Sequence, residues 1–341
     1  MQTETLLKLE KMPYPSGRFA DVGENLRTLT RNESAYIPPV RSAKAKPTIC
    51  PIIVPTNRDI RNNHKNIDRI MRLAQEREVS FVLFLCSGEA KKEDVASIAH
   101  RYKGTQWMAV DGPFLHEHHQ HDFETTYSPL SYGSERDVSQ KRNFALQIAR
   151  LMGWETLFFL DDDVTISGEQ LYKTFDLLHN GGASVVGFSA RSFPDHSVVM
   201  HAERWTNGPI DSFIGSGAMA IRTNTSVLPF FPHIYNEDWM FLLVYCLFGE
   251  GDVVWGGTIE QRAYDPFKNG QRAKIEEPGD MLGESLLRLI MATSADLQGQ
   301  HDFDTVAKII TKLADERFWE YEINNRISFI VGRIQSTHSM A

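Results

Sequence analysis

The sequence predicts an α/β fold built on a mostly parallel central sheet, and three observations carry that expectation. From residue 47 onward, short apolar runs alternate with stretches of helical length. Three of those runs break off into polar residues, at Pro55-Thr56-Asn57-Arg58, at Ser87-Gly88 and at Asp161-Asp162-Asp163. Parallel sheets bind ligands beyond the carboxyl ends of their strands, which is where such breaks belong. The 341 residues are 42% apolar and 23% charged, enough for one extended core.

Residues 1–46 place Pro13, Pro15, Pro38 and Pro39 among polar residues and read as an arm with one short helix near Thr5 to Lys11. Then come a strand at Ile49 to Val54, a helix at Ile60 to Glu78, a strand at Val79 to Cys86, a helix at Lys91 to Tyr102 and a strand at Gln106 to Val110. Such alternation implies right-handed crossovers between parallel strands. Asp111 to Ser139 is polar and aperiodic, with the length of a functional loop. It contains His116-Glu117-His118-His119-Gln120-His121-Asp122, which reads as a polar loop with adventitious metal affinity, placed to act as a lid or to touch an acceptor.

Lys141-Arg142-Asn143 opens a helix that runs through Phe144 to Met152 and leads into the strand Thr156 to Leu160. A helix follows at Gly168 to Asn180, a strand at Ser184 to Ala190, and a mixed polar stretch to Asp211. Gly215 to Arg222 reads as a glycine-marked turn entering a strand. Asn236 suits the N-cap of the apolar helix Trp239 to Phe248. From Glu276 to Gln335 the chain is helical and amphipathic, with Leu282, Leu286, Leu289 and Ile290 on one face. The expected division is an arm at 1–46, a main domain at 47–265 whose halves meet after residue 163, and a helical segment at 266–341.

A net charge of −8 argues against a nucleic-acid groove, which needs a basic surface. Cys50, Cys86 and Cys246 lie far apart, form no CxxC pair, and read as buried thiols of a reducing compartment. The amino terminus shows no charged-then-apolar leader, and no apolar run approaches the ~18 residues that span a bilayer. The expectation is a cytoplasmic protein without a transmembrane segment.

Three adjacent carboxylates after five apolar residues repel one another and are costly to desolvate, which points to a divalent cation and a diphosphate. Mg²⁺ or Mn²⁺ held by one or two carboxylates plus substrate phosphates suits that chemistry. Asp161 and Asp163 converge on one ligand if the chain loses its alternation at the turn. The helix amino terminus at Lys141, Arg142 and Asn143 reads as an anion site, and Arg58 as a second contact to phosphate or ribose.

Taken in order, Pro55-Thr56-Asn57-Arg58, Lys141-Arg142-Asn143, Phe159-Leu160-Asp161-Asp162-Asp163, Gly215-Ser216-Gly217-Ala218-Met219 and Glu237-Asp238 resemble the GT-A glycosyltransferases of family 2 type, over residues 47 to 265. The resemblance implies a nucleotide-binding half merged with an acceptor-binding half, and a nucleoside-diphosphate sugar, a UDP-sugar foremost, bridged to the protein by Mn²⁺ or Mg²⁺. Asp163 would be the principal metal ligand, and Asp161 would reach the metal or the ribose. Pro55, Thr56, Asn57, Arg58, Ser87, Lys141, Arg142, Asn143 and Asp162 would line the nucleotide. Glu237-Asp238 would be the acidic pair of the acceptor half, with Asp238 as general base and Glu237 as base or acceptor-positioning group. The implied reaction is sugar transfer, with inversion, to a hydroxyl or other nucleophile of a small or conjugated acceptor.

The second strand ends in Cys86-Ser87-Gly88-Glu89, where many relatives place the Asp that holds the base, which leaves base identity open. Glu260-Gln261-Arg262-Ala263-Tyr264 only faintly resembles the glutamine-arginine-tryptophan motif of processive synthases, whose transmembrane helices are missing. A retaining enzyme is the nearest alternative; its further histidine ligand could come only from His301 or His338, both in the helical tail. A sugar nucleotidyltransferase would need a glycine-rich first loop, and a non-catalytic nucleotide-sugar module would not need its acidic residues intact. Trp205, Trp239 and Trp255 read as core residues before sugar-stacking platforms. The terminal helices offer a surface for a homodimer.

Overall fold

The computed structural model describes residues 50–112, 137–190, 197–206, 214–225, 228–248, 252–262, 270–296, 308–309 and 311–338. The expected arm, the histidine-rich run and the Cys246 side chain lie outside the described residues. Eight strands form the sheet: β1 (Ile52–Thr56), β2 (Val82–Cys86), β3 (Trp107–Asp111), β4 (Thr156–Leu160), β5 (Val164–Thr165), β6 (Ala183–Ala190), β7 (Gly215–Arg222) and β8 (Asp252–Gln261). The helices are α1 (His64–Glu76), α2 (Lys92–Ala99), α3 (Val138–Met152), α4 (Gly168–His179), α5 (Val198–Trp205), α6 (Glu237–Phe248), α7 (Gly270–Asp296) and α8 (Glu316–His338). These elements fall into two compact units, one holding the described strands with α1 to α4 and α6, the other holding α5, α7 and α8.

The strand order is β3-β2-β1-β4-β7-β6-β8-β5. β1, β2, β3 and β4 are parallel, and β6 and β8 run parallel to each other. β7 lies antiparallel between β4 and β6, and β5 lies antiparallel to the end of β8. The chain is therefore α/β with a mostly parallel sheet, as the alternation predicts. β1, β2 and β4 are buried along their whole length, which explains their uninterrupted apolar composition.

Burial on two faces follows from a helix layer on each. Phe84, Phe158, Leu160, Phe188 and Ala220 share one cluster with Ile67, Ile70 and Met71 of α1, Val95 of α2 and Leu171, Phe175 and Leu178 of α4. α3 covers β1 and β4 from the opposite face, where Phe159 meets Phe231 edge-on at 5.5 Å and Phe231 stacks on Phe241 of α6 at 4.1 Å. α3 ends at Gly153, whose φ of 65° is the left-handed conformation that glycine adopts without steric penalty. α4 starts with a full capping box between Ser167 and Gln170.

Several elements differ from the sequence expectation. α3 begins at Val138, three residues before Lys141, so Lys141 sits within the helix and its backbone N–H already donates to Asp137 O at 2.9 Å. α5 occupies the stretch expected to be irregular, and β5 and β8 were not expected as strands. Gly215 to Arg222 is strand throughout. In the helical unit, Leu287 and Leu289 are fully buried, whereas Leu282 and Leu286 are only partly so. There Arg288 pairs with Glu322 at 2.8 Å and Arg333 with Glu203 at 2.8 Å, while Ile323, Ile327 and Val331 of α8 remain exposed. No described helix is long and apolar enough to cross a membrane.

Phe158 is fully buried against Phe175 and Phe188, with ring centroids 6.1 and 6.4 Å away. Phe158→Ala is expected to cost about 3–5 kcal/mol in chemical denaturation. Leu151→Ala, at an exposed position of α3, is expected to stay within about 0.5 kcal/mol of wild type.

Candidate active site

At Leu160 the strand β4 ends, and Asp161, Asp162 and Asp163 follow as a tight turn. Asp161 N donates to Gly217 O at 2.8 Å, continuing the ladder with β7, and Val164 N donates to Asp161 O at 3.1 Å. Arg69 of α1 clamps the turn by donating to the carbonyls of Asp162 and Val164 at 3.1 and 2.9 Å. Arg262 N donates to Asp163 O at 3.2 Å, just beyond the β5–β8 pairing. The backbone of the turn is thus held from both sides.

Asp162 points into the protein. It is 1% exposed, accepts from Thr56 Oγ1, and pairs with Arg58 Nη1. Asp162 thus ties the end of β4 to the end of β1, with Thr56 itself buried. Asp163 Oδ2 lies 2.8 Å from Arg58 Nη2. Asp161 Oδ1 lies 3.1 Å from Arg142 Nη2.

Arg142 is buried and joins the two halves of the site. Its Nη1 pairs with Glu237 at the first turn of α6 while its Nη2 holds Asp161, and its guanidinium lies 5.7 Å from the Phe231 ring centroid. Asn143 locks that ring's backbone: Asn143 Nδ2 donates to Phe231 O and Phe231 N donates to Asn143 Oδ1, both at 2.8 Å. Lys141 is 2% exposed, donates to Thr56 O at 2.9 Å and to Ser87 Oγ at 2.6 Å, and pairs with Asp137 Oδ1 at 2.9 Å. Lys141 and Asn143, expected at a helix terminus, lie within α3 and are buried. Ser87 in turn donates to Asp137 at 3.1 Å.

Glu237 and Asp238 open α6, where carboxylates suit the positive end of the helix dipole. Asn236, at φ 61°, precedes them, and its carbonyl takes the first helical bond from Met240 N at 3.2 Å. Glu237 is buried, whereas Asp238 is only partly so, with Oδ1 accepting from Trp239 N at 2.9 Å. A methyl group on Gly215 would lie 3.5 Å from Asp238 Oδ2, and one on Gly217 would lie 3.6 Å from Asp161 Oδ2. The carboxylates of Asp161 and Asp238 thus each lie against a glycine of β7.

The electrostatics follow from crowding. Burial pushes the Asp163 carboxyl up to about 6, with repulsion from Asp161 and Asp162 added and Arg58 opposing it. Burial pushes Glu237 up to about 7 against the pull of Arg142. Asp161 is raised by the same desolvation. Burial works against charge on Arg58 and Arg142 too, but the surrounding carboxylates outweigh it, and both guanidinium groups are held above their ordinary value. The row is short of positive charge, and protons or a divalent cation would relieve it.

Among the described residues, no three His, Cys, Asp or Glu side chains already form a metal cage. An ion held by one or two carboxylates and completed by phosphate oxygens needs none. The all-oxygen donors of Asp161 and Asp163 fit Mn²⁺ or Mg²⁺ on those terms. Pro55 is buried in β1, Asn57 is exposed beyond it, and Asn57 O accepts from Glu89 N at 3.1 Å. Trp239 and Trp255 are buried, as expected for core residues, whereas Trp205 is 62% exposed in the other unit. Arg69, Asp137 and Phe231 were absent from the sequence reading, since nothing in their local pattern marks them as tied to this edge.

No protein-family model and no curated protein matches the chain. Among solved structures it is similar to glucosyl-3-phosphoglycerate synthase from Mycobacterium tuberculosis, at 13% identity over 70% of this chain and 80% of that one, with a TM-score of 0.46. The same enzyme in complex with Mn²⁺, uridine diphosphate and phosphoglyceric acid matches at 15% identity over 80% and 87%, with a TM-score of 0.45. Its complex with Mn²⁺, UDP-glucose and phosphoglyceric acid matches at 14% over 70% and 79%, also at 0.45. Likenesses this distant assign no chemistry to the chain.

A carboxyl whose pKa is higher in the folded protein than in the unfolded chain gives stability below its unfolded value and loses it as pH rises through the folded value. For Asp163 that window runs from 3.8 to about 6, and for Glu237 from 4.5 to about 7. Metal-free wild type is therefore expected to lose stability relative to Asp163→Asn between pH 4 and pH 7, by of the order of 1–3 kcal/mol in urea denaturation. Parallel pH profiles for the two proteins would contradict the crowding described here.

Proposed function

We propose that the chain is a metal-dependent glycosyltransferase that moves a sugar from a nucleoside-diphosphate sugar, a UDP-sugar foremost, to an acceptor hydroxyl with inversion at the anomeric carbon. The observation that carries this reading is the arrangement of Asp161, Glu237 and Asp238 around Arg142, with Asp163 on Arg58 two residues from Asp161. One set of carboxylates stands at the strand end where a diphosphate would lie. The other set opens α6, with Asp238 against Gly215, where an acceptor hydroxyl would enter.

Asp163 and Asp161 would hold the divalent ion, which when bound supplies positive charge to the leaving diphosphate. Arg58, partly exposed beside them, is the side chain placed to bind a phosphate oxygen. Asp238 takes the acceptor proton: as the hydroxyl oxygen forms its bond to the anomeric carbon, the bond from that carbon to the diphosphate oxygen breaks on the opposite side. A base on one side and a stabilised leaving group on the other is what a single inverting displacement requires. Asp238 suits the role better than Glu237, because Glu237 is buried and committed to Arg142. Glu237 instead holds Arg142 in position, and through it Asp161.

The division of roles predicts different losses from two variants. Asp163→Ala is expected to abolish donor binding at ordinary metal concentrations. Asp238→Asn is expected to keep donor affinity within about threefold of wild type while lowering turnover by about 10²–10⁴, as loss of a general base does. Isothermal titration with the donor and a nucleoside-diphosphate release assay separate the two effects. Equal loss of donor binding in both variants would overturn the assignment, and product of retained anomeric configuration would overturn inversion.

A further inference from the structure

Arg58 is the most solvent-open charged group of the row. Its side chain keeps 40% of its surface exposed, against 1% for Asp162 and 6% for Asp163. Its two arms reach unlike partners. Nη1 holds Asp162, which Thr56 Oγ1 also holds and whose carbonyl Arg69 clamps, so that contact is a fixed pivot. Nη2 lies 2.8 Å from Asp163 Oδ2, on the carboxylate assigned above to the divalent ion. A guanidinium and a metal ion on one carboxylate repel each other, so each weakens the other's hold on it.

We propose that Arg58 is a positioning residue that occupies Asp163 as a built-in counter-cation in the metal-free protein, and that a divalent ion must displace it. The inference rests on the reading of Asp163 as metal ligand. Displacement frees the Nη2 arm while Nη1 stays on its pivot, so the arm remains at the site and a diphosphate oxygen can replace its lost acceptor. Metal alone therefore binds weakly, because it competes with Arg58. Metal and diphosphate together bind cooperatively, because the second ligand gives the displaced arm a partner.

The test is a titration with Mn²⁺ alone, then with UDP present, following free Mn²⁺ by electron paramagnetic resonance in wild type, Arg58→Met, Arg58→Lys and Asp163→Asn, with folding checked by circular dichroism. Arg58→Met is expected to bind Mn²⁺ about tenfold tighter without nucleotide and to lose most of the gain that UDP gives wild type, within the usual range of coupling between sites. Lysine has one point charge and cannot span both carboxylates, so Arg58→Lys is expected about threefold tighter. Should Arg58→Met fail to fold, the lysine variant decides. Removing an arginine that is merely structural would leave Mn²⁺ affinity equal or weaker, and that result overturns the proposal. If Asp163→Asn binds Mn²⁺ as wild type does, the metal assignment itself fails. If that variant loses Mn²⁺ while Arg58→Met matches wild type, only the Arg58 proposal fails.

Discussion

Three consecutive carboxylates at the end of a fully buried strand are the constraint around which the rest of the site is arranged. Uncompensated, such charges are too costly to hold inside a protein, and the fold meets the cost with arginines. Arg58 pairs with Asp162 and Asp163, Arg142 with Asp161, and Arg69 fixes the carbonyls of the same turn. The β5–β8 pairing adds Arg262 N on Asp163 O. Asp162 is satisfied inside, which leaves Asp161 and Asp163 as the two whose pKa values burial raises.

The antiparallel placement of β7 joins this edge to the second acidic pair. β7 lies beside β4, so Gly217 backs Asp161 while Gly215, two residues earlier, backs Asp238. Arg142 closes the circuit by holding Asp161 with one nitrogen and Glu237 with another. Its own position depends on Phe231, and Phe231 depends on Asn143 and Phe241. A row of carboxylates set by the sheet edge and a pair set by a helix terminus are thereby kept in fixed relation through one buried guanidinium.

Much of the first half was legible because its signals are local. β1, β2 and β4 are continuous apolar runs that stop at polar residues, and Asp161 to Asp163 stand out against the five apolar residues before them. The start of α3 was not legible, because pattern reading takes polar residues as exposed. Ser139, Lys141, Arg142 and Asn143 are polar and buried together, each bonded to a partner far away in sequence. β8 carries an alternation of buried Val253, Trp255, Gly257 and Ile259, but Gly256-Gly257 inside it reads as a break. The helical tail misleads in a similar way, since α8 buries Glu322 and Arg326 and exposes Ile323 and Ile327. Which of the three aspartates turns inward depends on Thr56 and Arg58 across the sheet, information that no local pattern contains.

Every role proposed for these residues depends on this acidic edge binding a nucleoside diphosphate through a divalent cation. A thermal-shift titration against UDP-, GDP- and dTDP-sugars, with and without Mn²⁺, tests it most directly, because ligand that binds only the folded state raises the melting temperature by mass action. The account predicts a Mn²⁺-dependent rise for one nucleotide family, with UDP-sugars foremost, and little change from either component alone. Equal shifts with and without Mn²⁺, or none with any nucleotide sugar, would contradict it.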